Sequence, residues 1–280
     1  MTEKNTYRQI LKSSALMGGS SALNIAIGIV RTKVVAILLG PTGVGLLGIY
    51  GSIVDLMTSI SGVGINSSGV RQIAEAVSSD DQTHINTTVT VLRRISLILA
   101  IIGAISLVLL ANKISLLTFG DSTHAYAIAL LSLAVFFRLI ADSRSAIIQG
   151  KRRLVDLAKM SVLNALVSTI VSILLIYFFR QEGVALSLVG ISMVMLIFYW
   201  FYSKKLVVCS TIITNSQFKK EVFVLLKFGF AFMASGILMI GTSYIIRTLI
   251  LRTSGYDAAG FYQAAWTLGG LYVGFILQAM

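Results

Sequence analysis

Long apolar runs separated by short polar stretches organise this chain of 280 residues. A helix needs about 20 predominantly apolar residues to cross a bilayer. Eight segments meet that length: 13–38, 44–65, 90–112, 124–148, 157–179, 183–203, 226–251 and 257–280. Two are interrupted by charge, the first by Arg31 and Lys33, the fourth by Arg138, Asp142 and Arg144. The polar stretch Met1–Lys12 leads into a full-length span with no small-residue cleavage site, which predicts an uncleaved first helix and not a removed signal peptide. Segments 66–82 and 149–156 read as short amphipathic elbows on one membrane face. The predicted fold class is an all-α, polytopic membrane helical bundle.

Composition agrees. The chain is 56% hydrophobic and 12% charged, with mean hydropathy +0.88, which excludes an ordinary soluble enzyme and a disordered chain. One cysteine, Cys209, and two histidines exclude an internal disulfide and a structural zinc site. Neither metal nor cofactor is expected.

The net charge of +12 is explained by where the 23 Lys and Arg fall. Sixteen lie in the N-terminus and in the connections 66–89, 144–159 and 204–227, counting Arg93 and Arg94 at the adjoining helix end. Lys113, Arg180 and Arg252 lie in the other set, and Arg31, Lys33, Arg138 and Arg247 lie within spans. Basic residues concentrate in cytoplasmic loops, so the N-terminus is placed in the cytoplasm, and nucleic acid is not needed as a partner.

Residues 11–51 echo 226–266. Ile29-Val30-Arg31-Thr32, Gly40 and Val44-Gly45-Leu46 match Ile245-Ile246-Arg247-Thr248, Gly255 and Ala259-Gly260-Phe261, and the glycines keep one constant offset. Six spans precede the second copy, so both copies start on the same membrane face and the repeat is parallel. Such repeats are a transporter architecture with the substrate path between the halves. The last run ends at Gln278-Ala279-Met280, which reads as a fragment: one six-helix lobe over 1–215 and the first hairpin of a second over 216–280.

Polar stripes at helical spacing mark three spans: Ser13, Ser20, Asn24, Gly28 and Arg31; Gly48, Ser52, Asp55, Ser59, Gly62 and Asn66; and Gly229, Gly236, Ser243 and Arg247. Ionisable groups in a span find a partner or water, so the stripes suggest a shared hydrated cavity, while small residues also serve close helix packing. Arg138 and Asp142, four apart, can pair with each other. Asp55 near mid-span is either a carboxylate able to take up a proton or an ionised partner of a cavity arginine. Lys33 reads as snorkelling to the interface. Four basic against two acidic groups within the spans favour an anion, and the planar fork of arginine suits phosphate.

An enzyme is not expected. His84 and His124 fall on opposite sides of the membrane, and no nucleotide-binding, nucleophile-elbow or zinc-protease motif is present. Lys151, Arg152 and Arg153 can attract anionic head groups. Phe178-Phe179, Tyr199-Trp200-Phe201-Tyr202 and Phe261-Tyr262 read as interfacial aromatics.

At Leu39-Gly40-Pro41-Thr42-Gly43-Val44-Gly45, Gly64-Ile65, Arg71 and Ala74, the chain resembles the polysaccharide flippases of the multidrug/oligosaccharidyl-lipid/polysaccharide exporter superfamily, in particular O-antigen (Wzx-type) translocases. Ile148-Gln149-Gly150-Lys151 and Ala259-Gly260-Phe261-Tyr262-Gln263-Ala264 strengthen the likeness, which runs over nearly the whole chain. The resemblance implies two six-helix lobes around a cationic lumen. It also implies ion-coupled transfer of a polyprenyl-pyrophosphate-linked glycan across a bacterial inner membrane, beside a glycan polymerase and chain-length regulator. Arg31, Arg138, Arg247 and Asn24 are then the substrate-binding candidates, and Asp55 and Asp142 the ion-coupling candidates. A multidrug exporter and a non-transporting scaffold of a glycan assembly complex are the alternatives.

Overall fold

The computed structural model describes the backbone of residues 3–79, 82–204 and 214–279, and the side chains of 18–79, 82–204, 214 and 217–270. The Ser13 side chain and Cys209 lie outside the described residues. All described elements are helical: α1 (Glu3–Gly62), α2 (Ile65–Ser78), α3 (Gln82–Phe119), α4 (Ala125–Gly150), α5 (Leu154–Phe179), α6 (Gly183–Lys204) and α7 (Asn215–Ala279). In lipid the backbone polar groups must be satisfied within the segment, which is why apolar runs of this length become helices. Six of the seven are long and apolar enough to cross a membrane, and the chain is a multi-pass membrane protein.

The two longest helices are each two arms. Gly40 (φ 68°, ψ −170°) divides α1, and Gly255 (φ 84°, ψ −178°) divides α7. That backbone region is open almost only to glycine, and these are the two glycines of the internal repeat. Val35 before the break and Val44 after it share one cluster with Ile176 of α5, so the chain doubles back at Gly40. Pro41 opens the second arm of α1, where its missing N–H is harmless. Counting arms separately recovers the eight expected spans.

The paired arms of α1 and α7 meet through glycine. A Cβ on Gly45 would strike the Tyr256 carbonyl and Gly260, and one on Gly260 would strike the Pro41 carbonyl. Gly45 and Gly260, like Pro41 and Tyr256, are equivalent positions of the repeat, so the contact is nearly self-symmetric. Thr42 Oγ1 donates to Asp257 Oδ1 (2.7 Å) across the same seam. At the other end, Gly64 lies backbone to backbone with Gly229. Lipid supplies no hydrophobic drive between helices, so such close approach is what holds them together.

Two buried clusters flank this seam. One, with Ile49, Ile53, Leu107, Leu131 and Val135, lies between α1, α3 and α4 near the glycine turns. The other, with Ile73, Val89, Leu92, Ile147 and Leu225, lies at the opposite end, called here the basic end. Outward faces are apolar as well, with Leu109 76% and Ile37 73% exposed, as expected of lipid-facing surface.

Two expectations on boundaries are corrected. Segment 66–82 contributes the amphipathic helix α2, but 149–156 forms no elbow. α4 runs to Gly150, and the chain turns within Lys151, Arg152 and Arg153, whose N–H groups donate to the carbonyls of Ile147, Gln149 and Ile148, with Arg152 at φ 55°. A turn this tight leaves no room for a helix. The third span extends from 90–112 to Gln82–Phe119, because Ile85 and Val89 of its polar start are buried in the second cluster.

The seam is testable. Gly45→Ala and Gly260→Ala each should lower stability by about 1–3 kcal/mol, the usual cost of overpacking. Gly51→Ala, with open space at its Cβ, should be neutral or slightly stabilising. Thermal unfolding of the purified protein in detergent reads the difference.

Candidate functional site

A cleft of about 290 Å³ opens between the second arm of α1, α3, α4 and the first arm of α7. Asp55, Ser59 and Gly62 recur at one-turn spacing and face it together from α1, and Asn66 joins them from the start of α2, beyond the break at Val63 and Gly64. Arg138, Asp142 and Ser143 enter from α4, Ser96 from α3, and Phe232 and Met233 from α7.

The centre is an ion pair that joins two helices. Arg138 Nη1 donates to Asp55 Oδ1 at 2.5 Å, and both side chains remain about 40% accessible because the cleft is open (38% and 40%). The intrahelical option is thus not the bond that forms: Arg138 bonds to Asp55, while Asp142, one turn further on α4, acts on Arg138 only through its field. Asp55, which lacks a base nearby in sequence, receives one from α4. Arg247 of α7 also lies in the field of Asp55, and its buried Nε has no hydrogen-bond partner.

Three other lining residues, Thr58, Ser96 and Ser143, carry buried hydroxyl oxygens without any hydrogen-bond partner. Buried polar atoms are nearly always satisfied, and rotation of each side chain toward the cleft would offer its hydroxyl to water or to a hydroxyl-bearing ligand. Sequence reading missed all three: Thr58 stands beside the stripe residue Ser59, whereas Ser96 and Ser143 carry no periodic signal.

The first-arm candidates of α1 lie elsewhere. Asn24 Nδ2 donates to Ser161 Oγ of α5 (2.6 Å), and Arg31, whose buried Nε has no partner, is absent from the cleft lining; Lys33 is exposed. The lining consequently contains one base and two acids, so the positive balance counted over all spans does not describe this cleft. The reason is geometric: the arm carrying Arg31 and Lys33 packs along α5.

A polar aromatic knot lies at the glycine-turn end. His124 Nδ1 is 2.7 Å from the Tyr50 hydroxyl, its Nε2 is 3.1 Å from the Tyr256 hydroxyl, and its ring stacks on Phe119 at 3.9 Å. Burial lowers the His124 pKa, opposed by the nearby Asp121 carboxylate. His84 lies at the basic end, 3.7 Å from Glu221, so the two histidines are indeed apart. Among the described residues no group of His, Cys, Asp and Glu is arranged to hold a metal.

The family profile described as "Polysaccharide biosynthesis protein" matches residues 10–280. Solved structures share the fold. One is titled an outward-facing conformation of a multidrug resistance MATE family transporter of the MOP superfamily (17% identity, TM-score 0.71, 96% of this chain and 61% of that one). A second is a MOP superfamily transporter from Pyrococcus furiosus, described as having a binding pocket of reverse polarity (17%, 0.68, 95% and 62%). A third is the MATE multidrug transporter DinF-BH, solved as a complex (19%, 0.67, 95% and 62%). This chain therefore spans about three-fifths of the length of the transporters whose fold it shares. Comparison with curated proteins by sequence finds no match.

Two measurements test the geometry. In double-mutant cycles, Asp55→Asn with Arg138→Gln should couple by about 1 kcal/mol, and Asp142→Asn with Arg138→Gln by less; equal coupling would contradict the bond described. Because His124 is held below its ordinary value of 6.5, the unfolded chain binds more protons there. Stability should therefore be present above about pH 6.5 and be lost as pH falls toward the lower folded value. His124→Gln should flatten that part of the profile of unfolding temperature against pH.

Proposed function

This chain belongs to the polysaccharide biosynthesis protein family, and from that premise we propose that it moves a polyprenyl-pyrophosphate-linked oligosaccharide, an O-antigen repeat or similar surface glycan unit, across a bacterial inner membrane. The activity is that of a complete two-lobed protein in which residues 1–215 are the first lobe and 216–280 open the second. The basic end faces the cytoplasm, where the lipid-linked unit is loaded, and the glycine-turn end faces the periplasm.

The observation that carries this reading is the lining of the cleft. A repeat unit brings many hydroxyl groups and a diphosphate. Thr58, Ser96 and Ser143 lack partners in the protein, and Ser59, Asn66 and Ser67 add further hydrogen-bonding groups. Sugar hydroxyls complete such groups as both donors and acceptors. Arg138, with Arg247 nearby, meets the anionic part of the cargo in the cleft, whereas Arg31 and Asn24, on the arm packed along α5, would contact it only outside this cleft. Asp55 and Asp142 are the ion-coupling groups. Protonation of Asp55 frees Arg138 for an anion, so proton and substrate are taken up together, and loss of the proton returns the guanidinium to Asp55 and releases the anion.

The two cleft carboxylates also favour a second reading, export of organic cations, for which Asp55 and Asp142 would be the counter-charges.

One experiment separates them. In the complete protein, Arg138→Gln and Arg247→Gln should each reduce surface glycan at least about tenfold at normal protein level, a loss consistent with one charge-assisted contact. Resistance to cationic dyes should be unchanged. Asp55→Asn should weaken the dependence of glycan display on the proton or sodium gradient. Normal glycan display with lost dye resistance would assign the cleft to drug export instead.

A further inference from the structure

A second basic cluster stands apart from the cleft, at the basic end. Arg144 of α4 and Lys151 of the α4–α5 turn both lie in the field of Arg93 of α3, the charge that acts most strongly on each of them. All three are half-buried. Among the described residues none has a carboxylate within salt-bridge distance; the nearby Arg153 is already paired with Asp156 at 2.9 Å. Arg93 Nε is buried without a hydrogen-bond partner, and Arg144 Nη1 reaches only the Ser203 hydroxyl of α6, at 3.3 Å. Burial, with Arg93 and Arg153, holds the Lys151 ammonium below its ordinary range.

Three cations gathered from three elements, partly desolvated and without a counter-charge, oppose folding of the empty protein. Cations whose only role is to set topology have no need of this arrangement, and the neighbouring Arg94 shows it by being exposed. Depth narrows the ligand. Arg93 stands in the last charged pair of α3 before the charge-free run that begins at Ile95, and Lys151 follows the last residue of α4. That level is the head-group plane. We propose that Arg93, Arg144 and Lys151 form a binding site for the phosphate of a membrane lipid, separate from the central cleft.

Two guanidinium forks and an ammonium match the oxygens of a phosphate mono- or diester. The source is an acidic phospholipid or the diphosphate of a polyprenyl carrier. The second source rests on the function proposed above, where the site would hold the carrier at the cytoplasmic leaflet before the glycan enters the cleft. The site itself does not depend on that reading.

The test uses the full chain purified in neutral detergent, with unfolding temperature followed by tryptophan fluorescence. Phosphatidylglycerol and undecaprenyl diphosphate are titrated, with dioleoylglycerol and undecaprenol as phosphate-free controls. The wild type should be stabilised by the phosphate-bearing lipids and not by the controls. Arg93→Gln/Arg144→Gln should bind them about tenfold more weakly or worse, Arg93→Lys/Arg144→Lys should recover part of the loss, and Arg94→Gln should bind as the wild type does. In detergent alone the Gln double variant should be at least as stable as the wild type, because mutual repulsion is gone. Undiminished lipid binding by the Gln double variant would overturn the proposal. So would a less stable double variant in detergent alone, since the arginines would then be braces. Tighter binding of undecaprenyl diphosphate than of phosphatidylglycerol would assign the site to carrier loading, and the reverse order to a bound phospholipid. Surface glycan is not the readout, so failure here is distinct from failure of the proposed transport.

Discussion

Close backbone contact between the paired arms of α1 and α7 is the constraint on which the rest of the structure depends. In a bilayer, apolar side chains gain little by leaving lipid for a neighbouring helix, so packing and polar contact must hold helices together. Gly45, Gly260, Gly64 and Gly229 let the two hairpins touch at both ends. Between those contacts the arms carry Asp55 and Ser59 on one side and Phe232 and Met233 on the other, and there the cleft opens. Glycine at the ends and polar groups in the middle thus make one device, a seam with a wet centre.

Charge is distributed in keeping with that seam. Inside the cleft the Arg138–Asp55 bond is neutral as a pair and Asp142 adds a second acid, while Arg247, outside the lining, reaches Asp55 only through its field. A single base shared between two acids answers to a change in one member: protonating a carboxylate or binding an anion alters which pairings are satisfied. Arg93, Arg144 and Lys151 at the basic end have no acid among them, which is why they point to an occupant outside the protein. In the cleft, the hydroxyls of Thr58, Ser96 and Ser143 tip the reading toward a sugar-bearing cargo.

Much of the fold was legible in the sequence because hydropathy over twenty residues is a local property. The spans, the bias of Lys and Arg toward alternate connections and the repeat around Gly40 and Gly255 all followed from it. The boundaries followed less well. α3 outruns its apolar stretch because Ile85 and Val89 find burial against other elements, and the elbow expected at 149–156 gives way to a three-residue turn.

What the sequence determined by itself is the kind of solvent this chain requires, the number of crossings and the two places where only glycine lets the path reverse. Only the tertiary structure decided the pairings. Arg138 bonds to a residue 83 positions away and not to the acid one turn along its own helix, and Arg31, in a stripe of similar spacing, lies outside the cleft lining. The reason is that spacing fixes which side chains share a helix face, whereas the rotation of each helix about its axis, and so what that face meets, is set by contacts with neighbours distant in sequence.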